Sequence, residues 1–162
     1  MTSTIRAVQA DDIEAIQAFT ERAFEPIFNS FAKILGPTIF AVAYPDWRKV
    51  QRDLVTTFYD NDESQMLVAL VEDDPAGLLV YKLDHETKTG EIEFLVVNPA
   101  YQQMGIATQL NQLVLDKMTE GGMSVAVVGT GGDPSHAPAC RAYEKIGFDK
   151  ALPTVWYYKS LV

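Results

Sequence analysis

Cysteine is nearly missing from this chain of 162 residues: Cys140 stands alone. One thiol forms neither an internal disulfide nor a cysteine-based zinc site, so a reducing, cytoplasmic setting is the expectation. Histidine is scarce too. His85 and His136 lie far apart in sequence, no His/Asp/Glu cluster has the spacing of a metal site, and none is expected. Uninterrupted apolar stretches such as Met66–Val71 are far shorter than the roughly 20 residues that span a bilayer, so no transmembrane helix is expected. The first residues, Met1–Arg6, lack the apolar core of a secretory signal. Bases are outnumbered: thirteen Lys and Arg against twenty-two Asp and Glu leave a net charge of −9. That balance argues against duplex nucleic acid and an anionic membrane as partners, because both require a cationic surface.

Hydrophobic residues at 48% and charged residues at 22% are those of an ordinary folded protein, and the length suits one domain over residues 1–162. Thr4–Val8 alternates as a strand. Asp11 or Asp12 then caps a helix carrying Ile13, Ile16, Phe19 and Ala23 on one face. A second helix is expected from Asp46, with Trp47, Val50, Leu54 and Phe58 inward. Between them Glu25–Pro45, broken by Pro26, Gly36, Pro37 and Pro45, reads as loop with a short helix. Gln65–Val71, Leu78–Asp84 and Glu91–Val97 read as an antiparallel meander, with turns at Glu72–Gly77 and His85–Gly90. Ile106–Glu120 is helical, with Ile106, Leu110, Leu113, Val114 and Met118 in one stripe before Gly121-Gly122. Met123–Val128 suits a buried strand, Pro138–Ile146 a short helix and Val155–Lys159 a last strand. The strand–helix–strand crossover in the second half makes the class mixed α/β, with a partly parallel sheet beside the meander.

The richest segment runs Phe94-Leu-Val-Val-Asn-Pro-Ala-Tyr-Gln-Gln-Met-Gly-Ile-Ala-Thr108: a strand, a break at Pro99, then Gly105-x-Ala107 opening a helix. A helix N-terminus presents unpaired N–H groups and the positive end of a dipole, and glycine lets an anion approach the backbone closely. About thirty residues later stands Ala139-Cys-Arg-Ala-Tyr-Glu-Lys-Ile-Gly-Phe148.

These two ordered motifs resemble the signatures of the GNAT (Gcn5-related N-acetyltransferase) superfamily. Val97-x-Pro99 through Gln102-x-x-Gly105-x-Ala107 matches the first, and Ala139, Tyr143, Lys145, Gly147 and Phe148 match the second. The resemblance is clear from about Gln65 onward and only topological before it. It implies an acyl-CoA N-acyltransferase fold, a mostly antiparallel sheet flanked by helices, with acetyl-CoA lying between splayed parallel strands, Glu91–Val97 and Met123–Val128. It implies further that backbone N–H groups from Gln103 to Thr108, with Gln102, Met104, Gly105, Ile106 and Ala107 in the same loop, take the diphosphate. The edge at Leu95, Val96 and Val97 then bonds the pantetheine arm as an added strand would.

Tyr143 matches the family's thiolate-donating tyrosine. Glu91 and Glu93 are two apart on a strand and share a face, and either is placed to accept the proton of the attacking amine. Two departures stand out. Many relatives carry Arg or Lys in the phosphate loop, where this chain has Gln102, Gln103 and Met104, leaving the binding to backbone donors and the helix dipole. Many also have Asn where His136 stands, in a loop with Gly129, Gly131 and Gly132. His136 is a candidate for binding the cofactor arm or relaying a proton, against the plainer reading of a solvated neighbour of a helix cap. Cys140 reads as a packing residue rather than a nucleophile.

Residues 1–81 hold six basic and thirteen acidic residues, residues 82–162 seven and nine. The acidity thus lies mainly in the half that the family uses to shape the acceptor site, with Glu25–Pro45 as a lid. The expected acceptor is an amine, cationic by this argument. Two functions follow from the resemblance: an acetyl-CoA-dependent N-acetyltransferase working in a ternary complex, or a non-catalytic module of that fold binding an acyl-CoA or metabolite. A dinucleotide-binding domain fits poorly, since Gly-x-Gly-x-x-Gly is missing. The oligomeric state is open, a homodimer included.

Overall fold

The computed structural model describes residues 3–162. Its centre is a five-stranded sheet in the order β1-β2-β3-β4-β5. β1 is Ser3–Ala7, β2 Gln65–Val71, β3 Asp74–Asp84, β4 Thr89–Val97 and β5 Val125–Val128. The first four strands pair antiparallel in sequence order, and β5 joins β4 parallel after the crossover helix α3, Ile106–Glu120. The hairpin between β2 and β3 turns on Glu72 and Asp73, both with positive φ of 51° and 71°, so β3 begins at Asp74, earlier than the turn residues suggested.

β2 is apolar on both faces because helices cover both. Leu67, Ala69 and Val71 pack with Ile106, Leu110, Val114 and Met118 of α3. Met66, Val68 and Leu70 pack with Ile16 and Phe19 of α1, Ile13–Ala43, and with Val55 of α2, Trp47–Tyr59. Gly77 of β3 lets α3 approach, since a Cβ there would lie 2.7 Å from Cγ2 of Ile106.

Four expectations are corrected. Glu25–Pro45 is not a loop: α1 runs through Pro26 to Ala43 and leaves helical geometry only at Gly36, φ 74° and ψ 167°. An internal proline costs a helix about 3 kcal/mol, and tertiary contacts offset it here. Phe24 stacks on Phe94 at 5.4 Å and Phe28 on Trp47 at 4.4 Å, with Phe31 and Tyr44 closing the cluster. By length and composition α1 and the turn before it are apolar enough to cross a membrane. Ile16, Phe19 and Phe28 are buried within the fold, so the first half of the helix is a core layer, whereas Ile34 and Val42 further along are 62% and 81% exposed.

The inner face of α2 is Trp47, Gln51 and Val55, with Val50 exposed, because α1 packs on the i, i+4, i+8 row. β5 is an edge strand with Val125 and Val127 open, rather than a buried one. Val155–Lys159 forms no strand, and residues 149–162 carry no regular structure. The short helix expected near Pro138 is α4, Ala137–Lys145.

Candidate active site

The register of β4 creates the site. Val80 of β3 faces Phe94, but its neighbour Tyr81 faces Ile92, leaving Glu93 as an extra residue in a bulge. Ile92 and Leu95 pack towards α3, whereas Phe94 and Val96 pack towards α1 and α2. An unbulged strand would have sent Phe94 to the α3 side. The bulge also ends the pairing with β5: Thr89–Ile92 match Val125–Val128, and beyond Ile92 that edge of β4 has no strand beside it. The two parallel strands diverge there. The free backbone edge of Glu93–Val97 is thus available to an extended ligand, although the side chain of Val96 is itself buried in the core.

A cleft of about 460 Å³ opens at this divergence. Phe24 and Ile27 of α1, Gln51 and Leu54 of α2, and Glu93 and Leu95 of β4 form one side. Thr130, Gly131, His136 and Tyr143 form the other. A larger cleft of about 600 Å³ lies between β1, β2 and α3, away from both motifs.

Tyr143 is buried, with its ring edge-on to Phe148 at 5.7 Å. Burial, with a lesser contribution from Cys140, pushes its phenol up to about 12. The hydroxyl therefore stays protonated at neutral pH and is always a donor. Cys140, one turn earlier on α4, directs Sγ towards the carbonyl of Gly131 at 3.9 Å, a packing position.

The two glutamates separate. Glu93 is nearly buried, accepts a 2.7 Å hydrogen bond from Oγ of Ser64 and lies 3.3 Å from Nζ of Lys82. Glu91 is half-exposed, pairs with Lys82 at 2.9 Å and does not line the cleft. Lys82, between the two, has its pKa raised by the hydrogen bonds to Glu91 and Glu93.

His136 is held inside rather than solvated. Nδ1 lies 2.5 Å from Oδ1 of Asp133, and the ring stacks on Phe31 of α1 at 5.9 Å. Asp133 also accepts from Ser30 of α1 at 2.7 Å and from Oγ of Ser135 at 2.5 Å. Burial opposes the charge of Asp133, but the hydrogen bonds from Ser135, Ser30 and His136 outweigh it and bring the carboxyl down to about 2. Gly131 makes room for this ring, because a Cβ there would meet Nδ1 at 2.4 Å. One of the three loop glycines therefore serves the protein's own side chain. Neither Ser30 nor Asp133 was marked by any motif; only the structure brings α1 against this loop.

The second half of the site is the turn before α3. Asn98 caps it, accepting from the amide of Ala100 at 3.1 Å, and Gln102 is extended. Gln103 and Gly105 then adopt positive φ of 64° and 79°. No side chain caps α3, so the amides of its first turn, Ile106 to Thr108, are free of a side-chain partner. Gln102, Gln103 and Met104 are exposed, while Ile106 is buried against Gly77. A free strand edge leading to an uncapped helix N-terminus, with two left-handed residues between, suits an extended ligand arm that leads to a diphosphate. Among the described residues no group of His, Cys, Asp and Glu is arranged to hold a metal ion.

None of the acidic residues in the first half lines the cleft. Glu21 and Glu25 face Arg48, and Glu21 also faces Arg52. Glu93 is the acidic side chain that lines the cleft, and of the segment Glu25–Pro45, which is helical, Ile27 reaches it.

The sequence profile of the acetyltransferase (GNAT) family matches residues 30–148, so the chain belongs to that family. No curated protein sequence matches it. Solved structures share the fold. The aminoglycoside N-acetyltransferase AAC(6')-Iy, in complex with the bisubstrate analogue CoA-S-monomethyl-acetylneamine, superposes with a TM-score of 0.66 at 14% identity over 99% of each chain. The ribosomal-protein-S18-alanine N-acetyltransferase of Escherichia coli gives 0.68 at 15% identity, over 93% of this chain and 80% of that one. The PaiA N-acetyltransferase of Thermoplasma acidophilum, in complex with coenzyme A, gives 0.69 at 16% identity, over 91% and 89%.

Proposed function

We propose that this chain transfers the acetyl group of acetyl-CoA to a primary amine of a small-molecule or peptide acceptor, by direct attack within a ternary complex. The observation that carries the reading is the single cleft in which the free edge of β4, Glu93 and Tyr143 meet. Acetyl-CoA supplies a thioester carbon as electrophile. The backbone of Glu93–Val97 orients the pantetheine arm, and the amides of Gln103 to Thr108 take the diphosphate.

The acceptor nitrogen must be neutral to attack. As the C–N bond forms its proton passes to Glu93, and as the C–S bond breaks the thiolate is stabilised by the Tyr143 hydroxyl. An ordinary thiol titrates near 8.5, well below a phenol at about 12. Tyr143 therefore supplies a hydrogen bond, and the thiol's proton comes finally from the acid formed at Glu93 or from water. Glu93 is favoured over Glu91 as base because it lines the cleft and is shielded from solvent. It also favours an acceptor that arrives as an ammonium ion and gives its extra proton to water before attack, a weak preference because Lys82 shares its charge.

The test is calorimetric titration with acetyl-CoA followed by coenzyme A release with a panel of neutral and cationic amines. Binding with turnover is expected, with Glu93→Gln lowering kcat about 10²-fold or more while acetyl-CoA affinity holds. Failure to bind acetyl-CoA overturns the proposal. Binding without turnover on any amine transfers it to a non-catalytic acyl-CoA-binding role, and neutral amines outperforming cationic ones removes the charge preference.

A further inference from the structure

An acceptor that arrives as an ammonium ion has two protons to lose, one before it attacks and one as the C–N bond forms. Glu93 accounts for the second. On the other side of the same cleft stands a group that the transfer has not used, the pair Asp133 and His136 between β5 and α4.

Asp133 presents Oδ2 to the hydroxyls of Ser30 and Ser135, and Oδ1 to Nδ1 of His136 at 2.5 Å. Burial opposes its charge, but the hydrogen bonds from Ser135, Ser30 and His136 bring the carboxyl down to about 2, so at neutral pH it is an anion and only accepts. Nδ1 therefore carries the ring proton, and in the neutral imidazole the free lone pair is on Nε2. Phe31 of α1 stacks on the ring and the backbone at Gly131 runs close beside it, which fixes its plane. Among the described residues Nε2 has no hydrogen-bond partner, yet it is not one of the buried polar atoms left without one, so it is open to solvent where the ring lines the cleft.

An imidazole tied to a carboxylate at one nitrogen and open at the other is arranged to accept a proton. Imidazoles ordinarily titrate at about 6.5 and glutamate carboxyls at about 4.3, so of the two kinds of base in the cleft the imidazole is the stronger. The anion at Oδ1 offsets the positive charge that the ring then carries. Other titratable groups approach from each neighbouring element. α4 brings Cys140 to Gly131 and Tyr143 to the cleft, α1 brings Tyr44 against Phe31, and β4 brings Glu93. Both phenols titrate at about 12 and stay neutral, which leaves Glu93 as the other anion of the cleft.

We infer that Nε2 of His136 receives, through water, the first proton of an ammonium acceptor, with Asp133 holding the ring for it and Glu93 taking the second proton. The inference rests on the transfer proposed above. In this step the ammonium ion becomes an amine and the ring an imidazolium, with no other bond changed, and the imidazolium returns its proton to solvent after the products leave. His136 thus selects among acceptors, since an amine already neutral has no first proton to give.

His136→Asn removes the base and keeps an N–H to offer Asp133. The test compares this variant with the parent chain on the fastest primary alkylamine of the amine panel, an ammonium ion at pH 7, and on its β-trifluoro analogue, a neutral amine there. The loss in kcat/KM is expected to be about tenfold or more greater for the alkylamine than for the analogue, and the gap to close as the pH is raised until the alkylamine is itself neutral. Asp133→Asn, which keeps the size and removes the charge, is expected to act in the same direction. Nitrogen NMR of the imidazoles in the parent chain, assigned with the His136 variant, is expected to find the proton of the neutral ring on Nδ1. Equal losses on both amines at every pH, or a neutral ring protonated on Nε2, overturns the inference and leaves the transfer standing. A parent chain that acetylates no amine overturns the transfer and the inference with it.

Discussion

Single side chains set the chemistry, and Tyr143 shows how burial selects a role. The phenol titrates at 10.0 in water and at about 12 in the fold, because burial disfavours its charged form. A raised pKa favours the protonated state of the native protein, so this contribution to stability is complete below about pH 10 and disappears between pH 10 and 12. At roughly 1.4 kcal/mol per unit it amounts to at most about 3 kcal/mol. Tyr143→Phe keeps the ring and its contact with Phe148 but has no proton to lose. Thermal melts across that pH range should therefore fall less steeply in the variant than in the parent chain, while the variant's kcat drops at neutral pH. Equal slopes would show that Tyr143 does not carry the alkaline sensitivity. Glu91 and Glu93 teach the complementary lesson. Their i, i+2 spacing is visible in sequence and is correct, yet it does not say which one enters the cleft. The bulge decides that, and a bulge leaves no mark in the identity of the residues around it.

Elements were legible where local pattern and tertiary environment agree. β2, at Gln65–Val71, and α3, at Ile106–Glu120, carry the predicted bounds, since a short continuous apolar run bounded by turn residues marks a strand covered on both faces and an apolar stripe closed by two glycines marks a helix. The motif around Gly105 marked the helix N-terminus with its uncapped amides in advance. The first turns of α1, with Ile13, Ile16, Phe19 and Ala23 inward, and the break at Gly36 were legible, but its run through Pro26 was not: Pro26 argues locally for a break, and the aromatic cluster that overrules it is assembled from α1, α2 and β4. The final strand was misread because strand propensity is not a strand without a partner. Ser30 and Asp133, 103 residues apart, meet only through that misread helix.

One packing contact at this scale makes a sharp prediction. Ile106 is the first residue of α3, and the glycine at 77 is what lets it settle on the sheet. Gly77→Ala places a methyl 2.7 Å from a branched, buried side chain that has no room to swing away. The cost is about 1 to 3 kcal/mol in overpacking, and the helix start must shift to relieve it. Acetyl-CoA affinity should then weaken along with the melting temperature. A melt lowered with affinity intact would mean that the strain is taken up within β3 and does not reach the turn before α3.

At the scale of the whole molecule the sign of the charge matters more than any pair. The loop and first turn assigned to the diphosphate, Gln102 to Thr108, contain no Lys or Arg, and the chain as a whole carries −9. Proteins that hold phosphates with cationic side chains release counterions and bind more weakly as salt rises. Here the local attraction comes from backbone amides and the end of a helix dipole, effective over the first turn and little beyond it. At longer range a polyanionic ligand approaches an anionic surface. Screening shortens that repulsion, with a Debye length falling from about 30 Å at 0.01 M to about 8 Å at 0.15 M ionic strength, while the short contacts to amides are largely spared. The dissociation constant for acetyl-CoA should thus stay level or tighten over that range, the association rate rising with salt. Stopped-flow binding measured at several ionic strengths checks both. A constant that weakens steeply, with the slope of two or more released counterions, would place a cationic side chain on the phosphates, and Arg141 and Lys145 of α4 would be the first to substitute.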